Sequence, residues 1–433
     1  MKTTYTLSEI PGFINIINTT NKNSTSNDTE NATSECSNEE ESKYFSVTEY
    51  STKSNEVYKI VRYRKEMLAL DLIPIYGLLR SVIINSENRV VSFAPPKSLP
   101  ADQFMTKYSK KSDFIIAQEF VEGTMINVFF DTAINSWKIA TRNTVDANVS
   151  FYRSNKIPNG PPNKTFNAMF EEACQTNNLN LETLNKTFCY SFVLQHPDNR
   201  IVVPFTIPRL YLVEVFEIIQ TETDIGIISQ NISAVRTNGA WNMTSIRFPD
   251  VYEFSSYSEL IEKFASANTP YDVMGIVIKN MTTNERTKIR NPIYEEVRHL
   301  KGNQSKLQYQ YLHLRKEGKI SEFLKFYPEN KNDFSECRNQ VHMFTKMLHQ
   351  NYLSCYVKKE KPLGEYTPQF RTHMFKIHEQ YINDLKPRGL FVTNVVVINY
   401  VNNLAPALLM HSLNFHLRKQ KVDIIKADAS EQP

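Results

Sequence analysis

The 433-residue chain is 41% apolar and 22% charged, an ordinary balance for a globular protein long enough to hold two domains. Its 50 Lys and Arg against 46 Asp and Glu leave only +4, which names no partner, and no apolar run approaches the roughly 18 residues of a membrane span. Five cysteines (Cys36, Cys174, Cys189, Cys337, Cys355) form no CxxC pair and no metal-ligand spacing. That excludes a disulfide scaffold and favours a reducing, intracellular setting without disulfide-linked partners.

The opening MKTTYTLSEIPGFINIINTT lacks a signal-peptide core. From about Thr19 to Lys43 the chain is nearly free of apolar residues, so an N-terminal segment 1–45 is expected to be largely disordered from about residue 19. From Tyr44 to Arg290, short Val-, Ile-, Phe- and Tyr-rich runs predict strands. They are SVIIN and RVVSF joined by a SENR turn, FIIAQEF, TMINVFFD, WKIATR, YSFVLQ, RIVVPF, LYLVEVFEII and MGIVIKN. Helices are predicted at Phe166–Thr176 and Tyr257–Ala265 from apolar residues three and four apart.

After Arg290 the texture becomes helical, with Pro328, Pro362, Pro368, Pro387 and Pro406 marking breaks and Pro406 starting or kinking a helix. Strands followed by helices give an α+β architecture. The expected organisation is an antiparallel-sheet domain over 46–292, an all-helical C-terminal domain over 293–420 and a tail over 421–433. Charge is uneven: from Asn291 onward there are 21 Lys and Arg against 14 Asp and Glu, and before it 29 against 32. The excess mildly favours a polyanion partner for the C-terminal part.

At Phe120–Met125 the chain reads FVEGTM, between the strands FIIAQEF and MINVFFD. Self-nucleotidylating enzymes place a lysine-x-acidic-glycine motif at such a junction. Upstream stands LLRSVIINSENRVVSFAPPKS. Downstream come WKIATRN, YSFVLQHPDNRIVV with LYLVEV behind it, VMGIVIKN and RTKIRN. Six segments in this order, across Tyr58 to Arg290, resemble the phage RNA ligase class that reseals tRNA, a family of covalent nucleotidyltransferases. The full chain also resembles proteins of large eukaryotic DNA viruses.

The resemblance implies an RNA-ligase-like nucleotidyltransferase domain, but the residues of its chemistry are missing. The lysine that would attack the α-phosphate of ATP falls on Phe120, which cannot form a phosphoramidate. Two carboxylate positions that serve the metal side fall on Ser191 and Met274, so no metal ligand is assigned. Asp272, on the same strand face as Met274, is a weaker metal-ligand alternative. The motif keeps Glu122 and Gly123. Arg80, Lys97, Arg142, Arg200, Lys288 and Arg290 are the candidate phosphate-binding cations, although each taken singly reads as a solvated surface charge. Without carboxylates a divalent cation has few hard ligands, and without the cation the triphosphate charge is poorly neutralised.

Elsewhere the signals are structural. His373 with His378, and His342 with His349, lack the i, i+4 spacing of a zinc pair. His196 in QHPDNR reads as a turn stabiliser. Tyr309, Tyr311, His313, Arg315, Lys316 and Lys319 mix rings with cations, which suits single-stranded RNA but suits inward-packing aromatics better. The expectation is a catalytically degenerate RNA-ligase-like protein, viral, in host cytoplasm or virion, binding RNA or nucleotide and no membrane. The alternatives are a virion scaffold that uses only the fold, and an active ligase with a displaced nucleophile, using ATP and Mg.

Overall fold

A computed structural model describes residues 4–18, 42–151 and 164–418. The expected disorder from residue 19 and the 421–433 tail lie outside these residues. The described chain is α+β, with antiparallel sheets followed by helices. Residues to Arg298 form one compact unit and those from His299 a second.

The strands of the first unit are β1 (Tyr5–Thr6), β2 (Phe45–Ser51), β3 (Val57–Tyr63), β4 (Val82–Ile84) and β5 (Val90–Phe93). Then come β6 (Ile115–Glu119), β7 (Thr124–Asp131), β8 (Ser136–Ala140), β9 (Phe188–Gln195) and β10 (Arg209–Gln220). The last are β11 (Ile225–Ser229), β12 (Val251–Tyr252), β13 (Gly275–Asn280) and β14 (Arg286–Arg290). They form three sheets, ordered β1-β11-β10-β9-β7-β8, β12-β6-β13-β14 and β2-β3-β4-β5.

The SENR turn joins β4 to β5 as expected, and the helices Phe166–Thr176 and Tyr257–Phe264 form where apolar spacing placed them. Two features depart from the sequence reading. RIVVPF is not a strand: Pro204 and Pro208 interrupt the ladder, and the amides of Val202 and Val203 donate to the Glu122 carboxylate instead, at 2.9 and 3.1 Å. At the other end of the chain, residues 4–18 are integral. β1 pairs with β11, and Leu7, Ile10, Phe13 and Ile16 are buried in a core shared with the β2–β5 sheet.

Strand β10 carries the junction between sheets. A bulge between Leu212 and Glu214 changes the parity of its inward positions, so Leu210, Leu212 and Val215 share one core. Glu214 is thereby buried beside Lys279 of β13, at 2.9 Å, with Arg286 of β14 at 3.7 Å. This pairing ties the six-stranded sheet to the four-stranded one.

The second unit is helical: Leu307–Glu317, Ile320–Phe326, Lys331–Tyr352, Pro368–Gln380, Asn394–Asn403 and Pro406–Leu413. Gly318, at φ 71°, ends the first of these in the left-handed conformation. Pro368 and Pro406 occupy first turns, where a missing N–H costs nothing. Tyr311 is buried against Phe334, which also stacks on Phe323, so this ring packs inward, whereas Tyr309 is half-buried and His313 exposed. No described helix is long and apolar enough to cross a membrane.

A polar knot lies in this core. Buried His373 bonds Tyr400 Oη at 2.9 Å through Nδ1 and Ser412 Oγ at 2.8 Å through Nε2. Burial, reinforced by Lys376, lowers its pKa from 6.5 to about 4. A base with a depressed folded pKa contributes stability above its unfolded pKa and loses it on acidification. The thermal midpoint of this unit should therefore fall as pH drops from about 6.5 to 4, and His373→Gln should flatten that slope in a pH series of melts. Removing the carboxylate in Glu214→Ala should destabilise the sheet unit by about 3–5 kcal/mol in denaturant unfolding, because Lys279 and Arg286 are left buried without a counter-charge.

Candidate functional site

The segment Phe120–Gly123 carries the chain from β6 in one sheet to β7 in another. The crossing needs glycine. Gly123 sits at φ 147°, and a Cβ there would lie 2.5 Å from the carbonyl oxygen of Leu194 on β9. Gly275 has the same constraint at the start of β13: at φ 131°, its Cβ would fall 2.1 Å from the Ile289 carbonyl oxygen.

Glu122 points inward from this crossing. It accepts the two amides of the 202–203 segment, and burial together with this carboxylate raises the Tyr294 phenol's pKa. Gln195 Nε2 donates to the Glu122 carbonyl oxygen at 2.9 Å. In the described structure Glu122 thus works as an internal latch. Arg200 joins the same segment, its Nε donating to the Val202 carbonyl oxygen at 2.9 Å.

Phe120 is half-buried, and two cations lie against its ring. Lys288 Nζ stands 4.9 Å and the Arg290 guanidinium 5.2 Å from the ring centroid. Both project from β14, two residues apart and so on one strand face. Around them the fold assembles further positive charge. Burial pushes the Lys288 amine well below its usual pKa, and Arg286, Arg80, Arg290 and Lys97 reinforce the shift. Arg80 is lowered to about 10, again by burial first and then by Arg286 and Arg142. Lys97 is lowered by burial, Lys65, Arg80 and Arg142.

Five of the six cations singled out in the sequence therefore act on one another: Arg80, Lys97, Arg142, Lys288 and Arg290. Arg200 does not figure among the charges that shift this group. Arg286 and Lys65 were missed. Arg286 opens RTKIRN two residues before Lys288, so the strand alternation that groups Lys288 with Arg290 also puts it on their face. Counter-charge is thin. Arg290 pairs with Glu295 at 2.9 Å and Arg286 with Glu214, whereas Arg80, Lys97 and Lys288 form no ion pair among the described residues.

The carboxylate positions are placed just as clearly. Ser191 is fully buried and donates to Asn127 Oδ1 at 2.8 Å. Its partner across the ladder is Glu214, a carboxylate already committed to Lys279 and Arg286. Met274 immediately precedes β13, and its carbonyl oxygen accepts the Asn291 amide at 3.1 Å. Asp272 is exposed. No group of three or more His, Cys, Asp or Glu side chains among the described residues is arranged to hold a metal ion. The donors at these two positions do not suit a divalent cation.

Glu119, the residue before Phe120, lines a cavity of about 360 Å³ with Tyr211, Trp241, Phe248, Arg236 and Arg247. Arg247 Nη1 donates to Tyr211 Oη at 3.4 Å, and the Arg236 guanidinium lies 5.6 Å from the Phe248 ring. Burial raises the Glu119 carboxyl above its ordinary range. Flat rings, guanidinium planes and a carboxyl are a chemistry suited to a heteroaromatic base. His196, by contrast, caps the 197–199 turn: its Nδ1 accepts the Asp198 amide at 3.1 Å.

No protein-family model matches the chain. Over 288 residues it is 24% identical to an RNA ligase of Rhodothermus phage RM378, covering 60% of this chain and 64% of that one. The chain is related in sequence to a phage RNA ligase. It is also 25% identical over 312 residues to the "Immediate-early protein ICP-46 homolog" of Invertebrate iridescent virus 6, covering 68% of this chain and 64% of the relative. The matches thus span just under two thirds of each relative's length.

Among solved structures, an archaeal ATP-dependent RNA ligase aligns over 84% of this chain and 74% of its own, at 8% identity and a TM-score of 0.36. A Naegleria gruberi RNA ligase with PPi aligns over 59% and 98%, at 11% identity and 0.30. At scores below 0.5 these superpositions establish nothing by themselves. The RNA-ligase-like relationship rests on the sequence matches.

Crowded like charges raise the free energy of the folded state until an anion arrives. Inorganic tripolyphosphate should therefore raise the melting temperature of the chain, and Arg80→Gln or Lys97→Gln should remove most of that increase. Without the anion the same substitutions should leave the melting temperature unchanged or slightly higher, as differential scanning fluorimetry would report.

Proposed function

We propose that the RNA-ligase-like unit binds the phosphates of a nucleotide or an RNA end and does not form a lysyl-nucleotide intermediate. The observation that carries this reading is the Phe120 ring lying under Lys288 and Arg290, where covalent chemistry would need an amine. Arg80, Lys97 and Lys288 supply positive charge without internal ion-pair partners, and the cavity beside Glu119 offers rings for a base. Binding is then charge neutralisation combined with stacking. Ser191 and Met274 offer no carboxylate to a divalent cation.

One observation supports a second reading. Lys288 places a buried, depressed-pKa amine close to Phe120, and such an amine is a nucleophile in chemical terms. As a displaced nucleophile it would attack the α-phosphorus of ATP, forming an N–P bond and releasing pyrophosphate. Incubation with α-labelled ATP and magnesium, followed by denaturing electrophoresis, decides between them. The non-covalent reading expects no radioactive band. A band lost in Lys288→Arg establishes the second reading. Under the non-covalent reading, RNA affinity should fall log-linearly with salt, and Arg80→Gln should lower the slope by about one ion. RNA affinity absent at low ionic strength would favour a virion scaffold that uses only the fold.

A further inference from the structure

The helical unit carries a second concentration of rings, and unlike the rings of its core these stand at the surface. Tyr356 stacks on His378 with centroids 3.8 Å apart and planes within 14°, and His378 continues to Tyr381 at 5.8 Å and 28°. From beneath, buried Tyr352 holds the imidazole through a 3.2 Å contact between its Oη and His378 Nδ1. Tyr356, His378 and Tyr381 are each half-exposed. The aromatic contacts Phe323–Phe334 and Phe344–Phe370, in contrast, join buried rings that need no partner.

The backbone explains why these rings face outward. Both tyrosines lie in π-helical turns, Leu353–Val357 and Tyr381–Leu385, each continuing a regular helix. A π turn holds more residues than an α turn and rotates the next side chains off the buried stripe, a device common at functional sites. The same turns leave Val357 and Ile382 exposed, at 62% and 51%. Exposed Lys358 and Lys359 follow Tyr356 two and three residues on in the chain, and exposed Lys386 follows Tyr381 by five. Lys386 is close enough to His378 to depress its protonation, after burial. Lys358 pairs with Glu360 at 3.5 Å, while Lys359 and Lys386 form no ion pair among the described residues.

We propose that this stack is a docking platform for bases of single-stranded RNA, with Lys358, Lys359 and Lys386 meeting its phosphates. Near-parallel rings beside ammonium groups match unstacked bases on a charged backbone. A duplex hides its base faces, and an acidic peptide would use the lysines but leave the rings uncovered. This platform does not rest on the phosphate site of the sheet unit.

The test uses the full chain and a fluorescein-labelled RNA of about ten nucleotides, with inorganic polyphosphate as a base-free control. It is run both in the wild-type chain and with Arg80→Gln, which weakens the sheet-unit site, so the two readings fail separately. Tyr356→Ala and Tyr381→Ala should each weaken RNA binding by about tenfold in both backgrounds, while Tyr356→Phe and polyphosphate binding stay unchanged. Lys359→Glu with Lys386→Glu, both on solvent-facing side chains, should weaken RNA and polyphosphate together and guards against a misfolded tyrosine variant. RNA affinity unchanged in the alanine variants, or equal losses of RNA and polyphosphate in them, overturns the proposal. So does an undiminished affinity in the double lysine variant.

Discussion

The buried carboxylate of Glu214 is the point on which the sheet unit turns. Two cations, Lys279 and Arg286, are taken out of water on neighbouring strands of the β12-β6-β13-β14 sheet, and among the described residues this carboxylate alone forms an ion pair with them. Burying three charges is expensive, and the arrangement persists because the bond distances are short and the partners complementary. Its effect is positional. It holds against β10 the sheet on which the β6–β13–β14 ladder brings Lys288 and Arg290 to the Phe120 ring.

That delivery produces a site with an unusual charge balance. A nucleotidyl-transferring centre needs cations for the phosphates and carboxylates for a metal, and each offsets the other. Here the cations are gathered, but Ser191 and Met274 contribute no negative charge, and the nearest carboxylate on the ladder is spent on Lys279. The excess is relieved in part by the face of Phe120, which a cation finds more favourable than an aliphatic wall. An anionic ligand relieves it further. Charge attraction and ring stacking therefore carry the proposed function, with no covalent step.

The helical unit solves a different problem. Among the polar side chains its core buries is His373, whose ring nitrogens are both satisfied, by Tyr400 and Ser412. His378, only five residues on, sits where the regular helix gives way to a π turn, and its ring looks outward. The two histidines look alike in sequence, yet one is a structural buttress and the other part of an exposed stack.

Much of the architecture was legible from residue pattern alone. Alternating apolar runs marked β4, β5, β6, β7, β9 and β10, apolar spacing marked the helices, and Pro406 marked a helix start, because these signals are local. That Phe120 itself offers no amine was equally visible, since a side chain's chemistry does not depend on the fold. What the pattern did not reveal was long-range. RIVVPF has a strand's composition, but its amides found the Glu122 carboxylate some 80 positions earlier in the chain. Residues 4–18 lead into a polar tract, yet they form an edge strand and part of a core. Gly123 reads as part of a nucleotide motif and is required by the backbone crossing between sheets. The sequence by itself determined which chemical groups exist, and therefore which are lacking. Only the tertiary structure decided which cations share a neighbourhood, because mutual repulsion and burial depend on distances that no spacing along the chain encodes.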